Sequence, residues 1–158
     1  MKTTYYIAYG SNLDCQQMAY RCPTAEPIGK GLLHDYRLVF QGSPYGAHAN
    51  VIPEEGQEVP VAIWKISQQD ERALDRYEGV KAGYYTREFL PIEVNGETVD
   101  ALIYIMTPHN HGIPADGYLA TIVRGYADFD LPIKYLNDAV LYSEDRTPYD
   151  KRMLGIAR

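Results

Sequence analysis

Apolar residues dominate residues 4–8, a strand-length run that stops at Tyr9, Gly10, Ser11, Asn12 and Leu13 and passes into a helix-like pattern over 13–21, ended by Pro23. Extended patterns follow at 26–33 and 36–40, and then a loop at 41–47 marked by Gly42, Pro44 and Gly46. Residues 48–52 and 59–66 read as a hairpin closed by the acidic turn Glu54, Glu55, Gly56. Ser67, with Asp70 three residues on, is a capping-box start for a helix over 68–77. In that helix Leu74 and Tyr77 are expected to face inward, and Glu78 falls at the C-terminus. Extended runs at 84–94 and 98–106 flank Asn95-Gly96, a strong short-range hairpin signal. Beyond the loop 107–116, with Pro108, Gly112 and Pro114, come helices over 117–129 and 132–143, the second placed behind Asp130 as a cap.

These elements predict an α+β domain: a mixed, mostly antiparallel sheet, curled toward a barrel, with peripheral helices. A chain of 158 residues buries a core of its own without metals or disulfides, so a single domain over 1–143 is expected. The charged stretch 144–158, broken by Pro148, is then a tail that packs over a neighbour or frays. A 46% hydrophobic and 23% charged composition excludes disordered and fibrous classes. The net charge of −6 argues against a nucleic-acid surface, which needs clustered Lys and Arg, and directs attention to small molecules. With no leader-like segment and no bilayer-length apolar run, a cytoplasmic location without membrane partners is expected. Cys15 and Cys22 would stand about 10 Å apart on a persisting helix, too far for a disulfide, and read as reduced small hydrophobes.

Candidate chemistry lies in two distant segments. A strand, a glycine turn and a helix start at residues 9–13 aim several backbone N–H groups at one spot. Far downstream a single carboxylate, Glu78, closes an amphipathic helix amid Tyr77, Tyr84 and Tyr85. Tyrosine is the compositional outlier, at 15 residues against 3 Phe and 1 Trp, and its ring-plus-hydroxyl suits a polar-floored pocket as well as a core. A donor-rich turn with a lone acid suits acyl chemistry on a small amino-acid derivative. Taken singly, each segment has a plainer reading: Glu78 as a solvated helix end, and Gly10 as a backbone requirement with Ser11 or Asn12 capping a helix. Gly10-Ser11-Asn12 is not a G-x-S-x-G elbow, so no acyl-enzyme is expected. His109 and His111 flank Asn110 with no carboxylate or cysteine at convincing ligand spacing, so no metal is expected.

Together, YGSNL at 9–13, YEGVKAGYY at 77–85, Tyr104 within LIYIMT, and a segment over 118–134 with a Leu-Pro pair before a helix resemble the gamma-glutamylcyclotransferase (AIG2-like) family. The resemblance covers most of the chain. It implies conversion of a gamma-glutamyl amide to 5-oxoproline and a free amine, by attack of the substrate's α-amino group on its own γ-carbonyl, without a cofactor. It also implies Glu78 as catalytic acid/base, a substrate-cradling turn of Tyr9, Gly10, Ser11, Asn12 and Leu13, pocket-lining hydroxyls at Tyr85, Tyr104 and Tyr118, and a homodimer among some relatives.

Elementary chemistry is consistent with this. An α-amino group is mostly protonated at neutral pH, so ring closure needs a base and then an acid for the departing nitrogen; one carboxylate serves both. Desolvation among Tyr77, Tyr84 and Tyr85 and the negative helix end should raise the pKa of Glu78. With few Lys or Arg near the motifs, the amides of residues 10–13 are the natural grip for the α-carboxylate, or else for the oxygen of the γ-carbonyl as it gains charge. The leaving group, whether a simple amine, a glutathione-like peptide or a larger natural product, is expected to be chosen by the loops 41–47 and 107–116. A rival reading is a non-catalytic module that binds a small acidic metabolite, disfavoured because an ionised Glu78 would repel such a ligand.

Overall fold

In the computed structural model, which describes residues 3–148, the apolar run Thr3–Ala8 (β1) lies in the middle of a five-stranded sheet. A 3-10 turn (Ser11–Leu13) and helix α1 (Cys15–Arg21) lead into two long strands, β2 (Glu26–Gln41) and β3 (His48–Ser67). Helix α2 (Gln68–Tyr77), the hairpin β4 (Tyr85–Val94) and β5 (Glu97–Met106), and helices α3 (Asp116–Asp128) and α4 (Ile133–Asp145) follow. The strand order is β2-β3-β1-β5-β4, with β1 antiparallel to β3 and parallel to β5. The α+β class holds.

Two expectations about the sheet are corrected. The acidic stretch Glu54 to Gly56 is not a turn: β3 runs through it, opposite β2 along its whole length. Residues 36–41 pair with 48–53 and residues 26–34 with 58–65, so the extra residues are taken up as a bulge where Asp35 has φ 64 and Gly56 φ 85. Asp35 Oδ1 accepts the Gly56 N–H at 3.0 Å, which satisfies the backbone where the ladder is interrupted. The same register explains why 26–33 and 36–40 form one strand rather than two. The sheet curls but does not close. The edge strands β2 and β4 approach until a Cβ on Gly31 would lie 3.4 Å from Ile92 Cδ1, yet no ladder joins them among the described residues.

Local signals account for the helix ends. Ser67 Oγ accepts the Asp70 N–H at 3.1 Å while Asp70 Oδ2 accepts the Ser67 N–H at 3.3 Å, a capping box worth about 1 kcal/mol. The hairpin turn has Asn95 at φ 51 and Gly96 at φ 85, the left-handed pair that the dipeptide favours. Asp14, not a residue of the turn, caps α1 by accepting the Gln16 N–H at 3.2 Å. Leu13 therefore belongs to the 3-10 turn rather than to the helix. Asp130 does not cap α4; it sits at φ 53 and its carbonyl accepts from Lys30 Nζ at 3.0 Å. Helix α4 continues to Asp145, and residues 149–158 of the expected tail lie outside the described residues.

The core joins the inner faces of β1, β3 and β5 to Leu74 of α2, Ile122 and Tyr126 of α3 and Leu136 of α4. Among the described residues both cysteines are free thiols, and no helix is long and apolar enough to cross a membrane.

Candidate active site

Strand β1 ends at Ala8 while its neighbours β3 and β5 continue, and the gap beyond its end opens a cavity of about 720 Å³. Both sequence segments contribute to its wall: Tyr9, Gly10, Ser11 and Asn12 from the first, and Glu78, Gly79, Tyr84 and Tyr85 from the second.

The turn is held from three sides. Leu13 N–H donates to Gly10 O at 3.0 Å and Asp14 N–H to Ser11 O at 3.0 Å, leaving the amides of Ser11 and Asn12 without an acceptor inside the turn. Asn12, 4% exposed, donates to the Tyr6 hydroxyl at 2.9 Å and accepts from Arg21 Nη1 at 3.0 Å and Gln17 Nε2 at 3.1 Å. The buried Asp14 accepts from Arg124 of α3 at 3.1 Å. Gly10 has a negative φ; its lack of a side chain matters because a Cβ there would lie 3.1 Å from that of Ala49.

Glu78 is the C-cap of α2, and the chain reverses there by a Schellman motif. Val80 N–H donates to Asp75 O at 3.1 Å, Gly79 N–H donates to Arg76 O at 3.2 Å, and Gly79 takes φ 63. A Cβ on Gly79 would stand 2.6 Å from Tyr84 Cδ2, so glycine serves both the left-handed backbone and the packing of that ring. The helix itself is tied to the hairpin by Arg87 of β4. Its Nη1 donates to both oxygens of Asp75 at 2.8 Å and its Nη2 pairs with Glu71.

Burial pushes the Glu78 carboxyl up to about 7, opposed by the positive charge of Arg21. Burial raises the hydroxyl pKa of Tyr6, Tyr9, Tyr85 and Tyr118, and the charge of Glu78 raises each of them further. Tyr77 and Tyr84, expected to shield it, are 51% and 65% exposed; Tyr77 instead carries the Arg21 guanidinium over its ring at 4.5 Å.

A raised pKa favours the neutral acid in the fold, so the stability it contributes is full below the unfolded value near 4.5 and is lost as pH rises through about 7. Glu78→Gln, neutral at every pH, is expected to melt close to the wild type at pH 5 and clearly above it at pH 8.5. Removing the opposing charge with Arg21→Met is expected to move the Glu78 titration upward, read as an alkaline shift of the acidic limb of kcat/KM.

The other expected site residues divide. Tyr85 and Tyr118 converge on β3: the Tyr85 hydroxyl donates to Ala49 O at 3.4 Å, and the Tyr118 hydroxyl accepts the Ala49 N–H at 2.9 Å, keeping its own proton for another acceptor. Tyr104 lines the cavity, but its hydroxyl donates to Asp75 Oδ1 at 2.6 Å, a charged acceptor already fixed by Arg87. Tyr9 likewise donates to Tyr104 O at 2.6 Å. Leu13 is fully buried, with its amide used inside the turn, and does not line the cavity.

Sequence reasoning missed Arg21 and Arg76, which bring positive charge to the cavity wall, and Tyr6 and His48, whereas Gln41, Gly42 and Ser43 on the wall belong to the segment 41–47 expected to choose the leaving group. Gln17 and Arg21 stand four apart in one short helix after the turn, and that spacing places both on one face toward Asn12. Nothing comparable marks His48, which arrives from β3. Among the described residues no cluster of three His, Cys, Asp or Glu is placed to hold a metal ion.

Residues 58–138 match the AIG2-like family. The chain is 32% identical to the gamma-glutamylcyclotransferase of Bos taurus, over 82% of this chain and 73% of that protein. It is 30% identical to the gamma-glutamylcyclotransferase of Homo sapiens, with the same coverage of both. A solved gamma-glutamyl cyclotransferase superposes with a TM-score of 0.79 at 27% identity, covering 94% of this chain and 90% of that one.

Proposed function

This chain belongs to the AIG2-like, gamma-glutamylcyclotransferase family, and we propose that it cleaves a gamma-glutamyl amide by cyclisation, with Glu78 carrying the proton. The reading rests chiefly on one observation: a buried carboxyl, pushed up to about 7, lines the same cavity as Ser11 and Asn12, whose amides have no acceptor inside their turn. At neutral pH such a group is populated in both protonation states, as a base that later acts as an acid requires.

The free α-amino nitrogen attacks the γ-carbonyl carbon, forming the five-membered ring and a tetrahedral centre. Glu78 takes the proton released from that nitrogen and passes it to the nitrogen of the scissile bond. The C–N bond then breaks to give 5-oxoproline and the amine, and Glu78 ends ionised as it began. Nucleophile and electrophile share one molecule, so the protein's main task is to hold a near-attack conformer. The turn amides and the Tyr118 hydroxyl are donors for the substrate's oxygens, and Arg21 supplies positive charge beside the turn for the α-carboxylate.

Two free thiols accord with a reducing, cytoplasmic setting for the enzyme. Incubation with a panel of gamma-glutamyl amides and peptides, assayed for 5-oxoproline, tests the activity. Release of stoichiometric amine and 5-oxoproline is expected, and binding without product from any of them would support the non-catalytic reading instead.

A further inference from the structure

Gln41, the last residue of β2, is 5% exposed and lines the cavity, and no step above uses it. The direction of its amide is fixed by a chain of hydrogen bonds that starts at a backbone group. Met106 N–H can only donate, and it donates to Asn50 Oδ1 at 2.9 Å. The other end of the Asn50 amide must then be its NH2, which donates to Gln41 Oε1 at 2.9 Å and reaches Met106 O at 3.4 Å. Asn50 is 1% exposed, so water does not compete for these bonds. Gln41 therefore presents Nε2 as a donor, and that nitrogen has no acceptor among the described residues.

Charge is unevenly distributed around the cavity. Arg21 and Glu78 adjoin the turn, where a zwitterionic gamma-glutamyl group finds both signs. Gln41 opens the loop that carries Gly42 and Ser43, and its neighbours on the wall include His48, whose pKa burial lowers toward the neutral ring. The charged lining residues, Arg21, Arg76 and Glu78, come from α1 and from α2 and its C-terminus, whereas Gln41, Gly42, Ser43 and His48 come from β2, β3 and the loop between them.

Resting on the cyclotransferase reading above, we infer that Gln41 is a specificity-determining residue. Its Nε2, aimed by Asn50, donates to an oxygen on the leaving amine and selects amides whose amine carries a carbonyl or carboxylate close to the departing nitrogen. A plain alkylamine would leave this buried donor unpaired in the complex.

The test compares 5-oxoproline formation from gamma-glutamylalanine and gamma-glutamylethylamide by the wild type, Gln41→Glu and Gln41→Met. Gln41→Glu keeps an acceptor for Asn50 and so preserves the wall, but replaces the donor with an acceptor facing the cavity. Gln41→Met keeps the volume and removes the donor. For gamma-glutamylalanine both variants should lose about 10- to 100-fold in kcat/KM, mainly through KM, as expected for a lost bond to a charged acceptor. Turnover of the ethylamide should not fall, and with Gln41→Met it should rise, because the donor that the alkylamine leaves unpaired is gone. A parallel loss on both substrates in folded variants would place Gln41 on the gamma-glutamyl half and overturn the assignment, as would no loss on either. If the wild type forms 5-oxoproline from neither amide, the activity reading fails and this assignment fails with it.

Discussion

Glu78→Gln is expected to lower kcat for 5-oxoproline release by roughly 10³-fold while changing KM little, the range for loss of a positioned acid/base. The substitution keeps shape and hydrogen-bonding capacity and removes only the ability to accept and return a proton. The pH dependence should change with it. In the wild type, kcat/KM rises with pH through an acidic limb near 7, as the buried carboxyl ionises and becomes a base. In the variant that limb should be absent and the residual rate set by the substrate's own amine. Because the variant should also be the more stable protein at pH 8.5, the lost activity would not come from unfolding. Product formed at the wild-type rate by Glu78→Gln would remove this residue from the mechanism.

Gly125→Ala is expected to destabilise the fold by about 3 kcal/mol, lowering Tm by roughly 6 to 12 °C, with activity lost alongside. Gly125 lies in α3 where that helix meets the 3-10 turn. A Cβ there would come within 2.3 Å of Leu13 Cβ, 2.6 Å of the Leu13 carbonyl carbon and 2.8 Å of Asp14 N. Two of these atoms are backbone and cannot rotate away. Relief requires α3 to move off the turn, which would stretch the Arg124 to Asp14 pair and displace the amides of Ser11 and Asn12. Thermal melts monitored by circular dichroism, with 5-oxoproline assays below the transition, would show both effects. A variant with wild-type Tm and activity would mean that the turn tolerates a looser fit than this packing indicates.

Short-range chemistry made much of the architecture readable from the residues alone. The Ser67 to Asp70 box, the Asn95-Gly96 turn and the placement of Glu78 at a helix end each depend on atoms within a few residues, and each appears in the structure. What was misread depends on partners far along the chain. Glu54 to Gly56 has the composition of a turn, but Asp35 across the ladder makes it a bulge, and no local pattern carries that information. Tyr77 and Tyr84 are next to Glu78 in sequence but are half or more exposed, whereas the rings that feel its charge include Tyr6, Tyr9 and Tyr118, from β1, the turn and α3. Tyr104 could be placed at the cavity but not its hydroxyl, because the acceptor, Asp75, is positioned by Arg87.

The Glu78 carboxyl, at a helix end set by a Schellman turn, is pushed up by burial, and Arg21 partly offsets the shift. Its ionisation can be followed directly by carbon-13 NMR of the side-chain carboxyl in the free enzyme, assigned by its disappearance in Glu78→Gln. A midpoint near pH 7 is expected; a midpoint near 4.5, the ordinary value for this side chain, would contradict a desolvated carboxyl poised to carry the proton.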